Sequence, residues 1–251
     1  MEGEVTDLIV EKDNVMGVIT DSLGAIEAKK TILTTGTFLN GILYTGDEKK
    51  SGGRVGDKPS IPLSQKLYDL KLPMGRLKTG TPARIKMSSL DLEVMEEQPG
   101  DSPTPFMSSL QEKHPHPTQL SCYITRTTPA TKKIIEENLH LSAMYSGQIS
   151  GIGPRYCPSI EDKVFKFKDK ETHQVFIEPE GINVDLVYPN GISSSLPKQT
   201  QERFIRTITG LENCEIDEFG YAVEYDFIDP RNLNDTLETK FFNNFYLAGQ
   251  I

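Results

Sequence analysis

A cysteine lies in a short stretch flanked by prolines, and its neighbours are of the kind that activate a thiol. The stretch is Gly153-Pro154-Arg155-Tyr156-Cys157-Pro158-Ser159, followed by Ile160-Glu161-Asp162-Lys163-Val164-Phe165-Lys166-Phe167. Two prolines fix the backbone on both sides and favour a rigid, non-helical turn. The charge of Arg155 and a short helix capped by Ser159 would favour thiolate, the nucleophilic form. A buried structural cysteine explains the stretch equally well, because free cysteine is among the most buried residue types.

A second candidate for chemistry is a basic window in an acidic chain. The net charge is −9, yet residues 49–86 hold ten basic residues against two acids. A glycine-rich loop, 51–57, precedes a helix that Ser60 could cap and that would end near Leu70. The spacing of a P-loop is absent. Residues 72–84 combine turn residues with cations, which suits phosphate contacts better than core packing. The window predicts one face for a polyanion, although a solvated charged surface explains it as well.

Length and composition bound the class of protein. The chain has 251 residues, enough for one large domain or two ordinary ones. No apolar run approaches the roughly 18 residues of a membrane helix, and the acidic N-terminal residues do not form a secretory signal. The three cysteines, Cys122, Cys157 and Cys214, are widely spaced and form no CxxC pair. This favours a reducing cytoplasmic location over a disulfide framework. No metal site is expected, because His114 and His116 have no nearby third ligand.

Hydrophobic periodicity and turn residues predict a mixed α/β fold. Residues 4–35 are expected to form a three-stranded meander whose last strand ends in Thr34-Thr35-Gly36, where a glycine lets the backbone approach a ligand. The other expected elements are helices at 60–70, 89–97, 131–140 and 200–209, strands at 120–125, 221–228 and 245–251, and a hairpin formed by 164–167 and 174–178.

Motifs spread over the whole chain resemble those of the MnmG (GidA) family of tRNA uridine-modifying flavoproteins. They occur in the family's order, and they are TTGTFLNG, SGGRVGDKPSIPLS, GRLKTGTPARI, QLSCYITRT, GPRYCPSIEDKVFKF, FIEPEG, YPNGISSSLP, YAVEYDFIDP and FYLAGQI. The resemblance implies a partial glutathione-reductase-like FAD-binding domain with an inserted α/β domain. Residues 1–80 and 201–251 would belong to the FAD-binding domain, and 81–200 would be an inserted NAD- and tRNA-binding domain.

The resemblance also implies an activity and its participants. Members form homodimers and work with the GTPase MnmE in the cytoplasm. Together they add an aminomethyl or carboxymethylaminomethyl group to C5 of the wobble uridine of certain tRNAs, using FAD, NADH and methylenetetrahydrofolate. No membrane association is implied.

Site residues follow from the resemblance position by position. Val5, Ser60 and Gln250 correspond to FAD contacts, and the stretch from Gly153 to Phe167 corresponds to the NAD-binding segment. Cys157 corresponds to a catalytic cysteine. A thiolate that adds to C6 of uracil makes C5 nucleophilic, although a proton-transfer role for Cys157 is also open. From the basic window, Arg54, Arg76, Lys78 and Arg84 are the candidates for contact with the tRNA backbone.

The chain departs from the family in what it lacks. The family's N-terminal glycine-rich FAD loop, a second cysteine, the continuation after Gln250-Ile251 and the C-terminal helical domain are not in this sequence. The chain is therefore expected to be an internal segment that does not hold FAD tightly by itself. Two alternatives stay open: an inactive remnant or tRNA-binding module, and the related folate- and FAD-dependent tRNA uridine methyltransferases.

Overall fold

A computed structural model describes residues 2–110, 115–153 and 158–249 of the chain. The predicted mixed α/β fold is confirmed. In these ranges the strands are β1 (Val5–Glu11), β2 (Asn14–Thr20), β3 (Gly24–Glu27), β4 (Thr31–Leu33), β5 (Ile42–Thr45), β6 (Glu48–Ser51), β7 (Met74–Thr81), β8 (Arg84–Ile85), β9 (Glu96–Gln98), β10 (Cys122–Arg126), β11 (Gln174–Pro179), β12 (Val187–Asn190), β13 (Ile216–Glu218), β14 (Tyr221–Ile228) and β15 (Phe245–Leu247). The α-helices are α1 (Ile61–Asp69), α2 (Pro129–Asn138), α3 (Ile160–Lys166) and α4 (Lys198–Ile205).

The N-terminal residues form the predicted meander, with β1, β2 and β3 in antiparallel order. The third predicted run differs, because it divides into β3 and β4. The backbone N–H of Ala28 still bonds to β2, at the carbonyl of Met16, whereas the N–H of Thr31 bonds to the carbonyl of Asn244. The chain thus changes partner within three residues, and β4 pairs in parallel with β15.

Helix α1 packs on this N-terminal layer through the leucines that the sequence places at helical spacing. Leu63 and Leu67 are buried in a hydrophobic core with Leu8, Leu33 and Phe245, and Leu70 packs at its edge. The predicted helix at 60–70 is therefore confirmed. Residue 60 is its N-cap position, but the Ser60 side chain makes no capping hydrogen bond.

The prediction of a turn-rich surface segment at 72–84 is wrong. Most of it is β7, which pairs with β14 over its full length, from Met74 with Ile228 to Thr81 with Tyr221. These two strands belong to a four-stranded antiparallel sheet in the order β6-β5-β14-β7. The cations of β7 do not prevent burial, because Arg76 pairs with Glu224 and Asp226 of β14 and Lys78 pairs with Asp162.

The second large core lies between a six-stranded antiparallel sheet and three helices. The sheet order is β13-β8-β12-β11-β10-β9, and α2 packs against α3 and α4. Fully buried side chains include Ile85, Ile135, Ile160, Ile177 and Phe204. The predicted strands at 120–125 and 174–178 and the helix at 131–140 are confirmed within a few residues.

Two predicted elements in this region are wrong. Residues 89–97 are not one helix; they contain a 3₁₀ turn at Leu92–Val94 and then β9, which pairs with β10. Residues 164–167 are not a hairpin arm, because Ile160–Lys166 is α3. A run of four residues with three apolar side chains does not separate a strand from one turn of helix.

The second core contains residues from both sides of the predicted domain boundary at residue 200. Helix α4 spans that position, and Phe204, Ile205, Leu211 and Cys214 are buried in the same core as Ile85 and Ile177. We therefore propose that the inserted unit runs through β13 and that the chain returns to the first unit at β14.

Truncation in the second core should destabilise the protein more than truncation at the surface. Ile177 is fully buried and Ile182 is 55% exposed. We expect Ile177→Ala to lower the free energy of unfolding by about 2–5 kcal/mol, because it removes buried methyl groups and leaves a cavity. Ile182→Ala is the control and should change it by less than about 0.5 kcal/mol. Urea unfolding measures both, and equal effects would contradict this core.

Candidate functional site

Two of the three expected FAD contacts lie in one cleft at the carboxyl end of β4. Val5, Ser60 and Thr35 line this cleft, which has a volume of about 300 Å³. The chain turns there at Gly36, where φ is 55°. The side-chain hydroxyl of Thr35 is buried and has no hydrogen-bond partner. A buried hydroxyl without a partner is unfavourable, so the cleft is suited to a ligand with polar groups.

The third expected contact, Gln250, lies outside the described residues. The chain leading to it follows β15, and the backbone N–H of Ala248 donates to the carbonyl of Leu33 at 3.0 Å. The ends of β4 and β15 therefore meet at the same edge, beside the cleft. In parallel sheets this is the edge where ligands bind.

The expected NAD-binding stretch is described at Gly153 and from Pro158 to Phe167, while Pro154, Arg155, Tyr156 and Cys157 lie outside the described residues. Just before it, the Glu224 carboxylate accepts hydrogen bonds from the backbone N–H groups of Ser150 (2.9 Å) and Gly151 (2.6 Å) and from the Ser150 hydroxyl (3.0 Å). The carbonyl of Ile152 accepts from the N–H of Lys78 at 3.1 Å. Gly151 packs so closely on β7 that an added Cβ would lie 3.0 Å from the carbonyl carbon of Leu77.

The Glu224 carboxylate is held in its charged form. Burial raises its pKa, but the hydrogen bonds from Gly151, Arg76 and Ser150 and the charge of Arg76 outweigh burial, so the net shift of the pKa is downward. A charged acceptor makes stronger hydrogen bonds to backbone N–H groups than a neutral one. Residues 150–152 are therefore fixed to β7 and β14.

Helix α3 begins with a capping box, and Ser159 is its N-cap as predicted. The Ser159 hydroxyl accepts from the N–H of Asp162, and the Asp162 carboxylate accepts from the N–H of Ser159, each at 3.2 Å. Asp162 also pairs with the buried Lys78, with 3.8 Å between Nζ and Oδ2, and accepts from the Tyr145 hydroxyl at 3.1 Å. Burial raises the pKa of Asp162, but the charges of Lys78 and Lys166 and these hydrogen bonds lower it overall.

Glu161, the next residue in α3, is fully buried and only half of its carboxylate is paired. One oxygen accepts from the N–H of Ser195 at 2.9 Å and from the Ser194 hydroxyl at 3.1 Å. The other oxygen is buried without a partner. A carboxylate oxygen without a partner can accept a hydrogen bond from a sugar hydroxyl, which is the usual role of an acidic residue in dinucleotide sites.

The four candidate tRNA contacts divide into two that face buried acids and two that line an open cleft. Lys78 is only 2% exposed, and the Arg76 guanidinium lies between Glu224 and Asp226, at 3.1 Å and 2.8 Å from their carboxylate oxygens. These two cations therefore do not present their charge at the surface. The sequence favours a surface position for them because the acids that pair with them in the described chain, Asp162, Glu224 and Asp226, lie more than 80 residues away.

Arg54 is exposed over 72% of its side chain, whereas Arg84 is partly buried, with 22% of its side chain exposed. Both line a cleft of about 440 Å³ that also contains Phe219 and Tyr221. Arg54 pairs with Asp57, with 2.7 Å between Nη2 and Oδ2. Arg84 pairs with Glu180, and its guanidinium stacks 4.5 Å from the ring centroid of Tyr188.

Comparison with known proteins identifies the family. The family model described as glucose inhibited division protein A matches residues 1–251. The chain belongs to the GidA family. It is 46% identical to Aquifex aeolicus GidA in one crystal form, with a TM-score of 0.89, and 43% identical in a second form, with a TM-score of 0.86. Each match covers 98% of this chain but only 42% and 40% of the solved chains, so this GidA segment spans about two fifths of their length.

The two described cysteines of this GidA segment are not activated. Burial, followed by the charge of Glu178, raises the pKa of Cys122, and burial raises that of Cys214 to about 11. A thiol with a raised pKa is a poor nucleophile at neutral pH. Within the described ranges, no helix has the length and apolar character needed to cross a membrane, and no group of three or more acidic, histidine or cysteine side chains is arranged to hold a metal ion.

Sequence reasoning missed Glu224 and Asp226. Both lie in YAVEYDFIDP, which was recognised only as a strand of the family. A signal was present, because Glu224 and Asp226 alternate with aromatic residues in a run that otherwise suits a buried strand. Buried charges are normally paired, so two acids in such a run predict cationic partners.

The paired carboxylates predict how stability depends on pH. Glu224 and Asp162 have pKa values below the ordinary 4.5 and 3.8. A carboxylate whose pKa is lowered by folding stabilises the folded state at pH values above its ordinary pKa. That stabilisation is lost as the pH falls through the pKa of the folded state. We expect the free energy of unfolding to fall below about pH 4.5, and Asp162→Asn to weaken that dependence. Urea unfolding at several pH values measures this, with the exposed Asp235→Asn as control; an unchanged slope in Asp162→Asn would contradict it.

Proposed function

We propose that this chain is the central segment of a flavoprotein that modifies C5 of the wobble uridine in tRNA. The observation that carries the proposal is the cleft at the ends of β4 and β15, in a chain of the GidA family. Val5 and Ser60, which correspond to FAD contacts, line this cleft together with the unpaired Thr35 hydroxyl. Its volume of about 300 Å³ fits part of a dinucleotide, with the remainder contacted by other residues.

NADH is the proposed reductant, and its proposed site is the stretch from Gly153 to Phe167. The unpaired, buried oxygen of Glu161 supports this, because it needs a hydrogen-bond donor such as a ribose hydroxyl. Bound FAD would supply the acceptor for the hydride of NADH. Methylenetetrahydrofolate is the proposed one-carbon donor, the GTPase MnmE the proposed partner, and a homodimer the proposed assembly.

Cys157 is the proposed catalytic residue, as the nucleophile at uracil C6 or as the proton-transfer group. The described thiols support the choice by elimination, since Cys122 and Cys214 both have raised pKa values. The flanking residues support it as well, because residues 150–151 are fixed by Glu224 and the start of α3 by its capping box.

Replacing this cysteine should abolish modification without unfolding the protein. In the complete gene product that carries this sequence, we expect Cys157→Ala to retain its flavin and its melting temperature while wobble-uridine modification falls at least about 100-fold. Mass spectrometry of nucleosides from the substrate tRNA measures the product. Cys122→Ala is the matched control and should remain active. Normal modification by Cys157→Ala would refute the assignment.

The tRNA contact is now proposed for Arg54 and Arg84 alone. Both face the cleft that contains Phe219 and Tyr221, and arginine with aromatic rings is a common combination in contacts with single-stranded nucleic acid. We expect Arg54→Glu and Arg84→Glu each to weaken tRNA binding and to make it less sensitive to salt, because phosphate contacts release counterions. Binding titrations at several salt concentrations measure this, with Arg231→Glu on another exposed surface as control. Unchanged affinity and an unchanged dependence on salt would contradict a tRNA contact at these arginines.

A further inference from the structure

Arg76 connects two parts of the chain that lie next to different proposed cofactor sites. One nitrogen of its guanidinium donates to Asp226 at 2.8 Å and to the carbonyl of Asn40 at 3.0 Å. The other donates to the Glu224 carboxylate at 3.1 Å and to the Glu224 carbonyl at 3.3 Å. This planar fork holds both carboxylates in fixed directions, which a lysine ammonium cannot do.

Asp226 extends the connection to α1. Its two carboxylate oxygens accept from the Ser64 hydroxyl at 2.6 Å and from the Tyr68 hydroxyl at 3.2 Å. Ser64 is the neighbour in sequence of Leu63, which lines the proposed flavin cleft with Val5 and Ser60. The Asp226 side chain is fully buried, so Arg76 is the cation that compensates its charge.

Glu224 extends the connection in the opposite direction. The oxygen that faces Arg76 also accepts from the Tyr44 hydroxyl at 3.2 Å, and the other oxygen binds the N–H groups of Ser150 and Gly151. Lys78 adds a second link from the same strand, through its N–H to the Ile152 carbonyl and its ion pair with Asp162. Since side chains two apart on a strand share a face, Arg76 and Lys78 act on the same side of β7.

We infer that Arg76 is a positioning residue that sets residues 150–151, which lead into the proposed nicotinamide-binding stretch, relative to the flavin-side helix α1. The inference rests on the proposed function and adds a role for a residue that contacts neither cofactor. The step that depends on this geometry is NADH + H⁺ + FAD → NAD⁺ + FADH₂, in which a hydride passes between two bound rings and Arg76 exchanges no proton. Such a transfer is sensitive to displacements of about 1 Å.

The test compares binding with reduction in the complete gene product. We expect Arg76→Lys to keep its flavin content and to stay folded at the assay temperature, although its melting temperature falls because one buried carboxylate loses its cation. Its rate of flavin reduction at saturating NADH, followed by stopped-flow absorbance, should fall about tenfold or more. The dissociation constant for NADH, measured by fluorescence, should rise by no more than about threefold. Arg206→Lys, in the exposed pair with Glu202 on α4, is the matched control and should behave as wild type.

A double-mutant cycle tests the connection itself. Ser64 and Glu224 do not bond to each other but share Arg76 through Asp226. We expect the effects of Ser64→Ala and Glu224→Gln on the reduction rate to be non-additive. Additive effects would overturn the inference. So would a wild-type reduction rate in Arg76→Lys, or a slower rate in Arg76→Lys that is explained by lost flavin or by unfolding. Absence of reduction by NADH in the wild-type protein would instead contradict the proposed function.

Discussion

The site depends on one electrostatic constraint, which is that two buried carboxylates on β14 share a single guanidinium on β7. Glu224 and Asp226 are 4% and 0% exposed, and Arg76 pairs with both. Removing one partner of a buried ion pair typically costs about 3–5 kcal/mol, because a charge is left without compensation. The eight-residue pairing of β7 with β14 and the direction of the Arg76 side chain therefore support each other. Residues 150–152, the start of α3 and helix α1 are all bonded to these two strands.

The attachment is what brings distant segments together. Glu224 fixes residues 150–151, Lys78 reaches Asp162 at the start of α3, and Asp226 binds Ser64 and Tyr68 of α1. Helix α1 belongs to the core that contains Leu8 and Phe245, whereas α3 belongs to the core that contains Ile85 and Phe204. The polar network thus lies where the two cores meet, and its bonds define how elements of one core are placed against elements of the other.

Features set by residues close together in the sequence were predictable, and features set by contacts between distant residues were not. The meander, α1, α2 and β14 are set by local periodicity and turns, and the sequence predicted them within a few residues. The Ser159 cap is also local and was predicted. The roles of Arg76 and Lys78 were not, because a cation in a Gly- and Thr-rich segment looks solvated until its partners, at Asp162, Glu224 and Asp226, are brought next to it by the sheet. The split of the third strand into β3 and β4 has the same cause, since β15 lies more than 200 residues away.

The polar network of Arg76, Glu224 and Asp226 contributes more than stability, because its bonds are directional. Well-packed apolar side chains at the positions of a buried ion pair are often as stabilising as the pair or more so, so stability alone does not require charges there. Charges differ from apolar side chains in specifying direction: each Arg76 nitrogen has its own carboxylate, and each carboxylate has an oxygen that binds a different segment. An apolar contact would tolerate sliding of α1 against residues 150–152. A network of directed hydrogen bonds does not, and this rigidity is what a site assembled from two cores needs if two ligands are to meet in it.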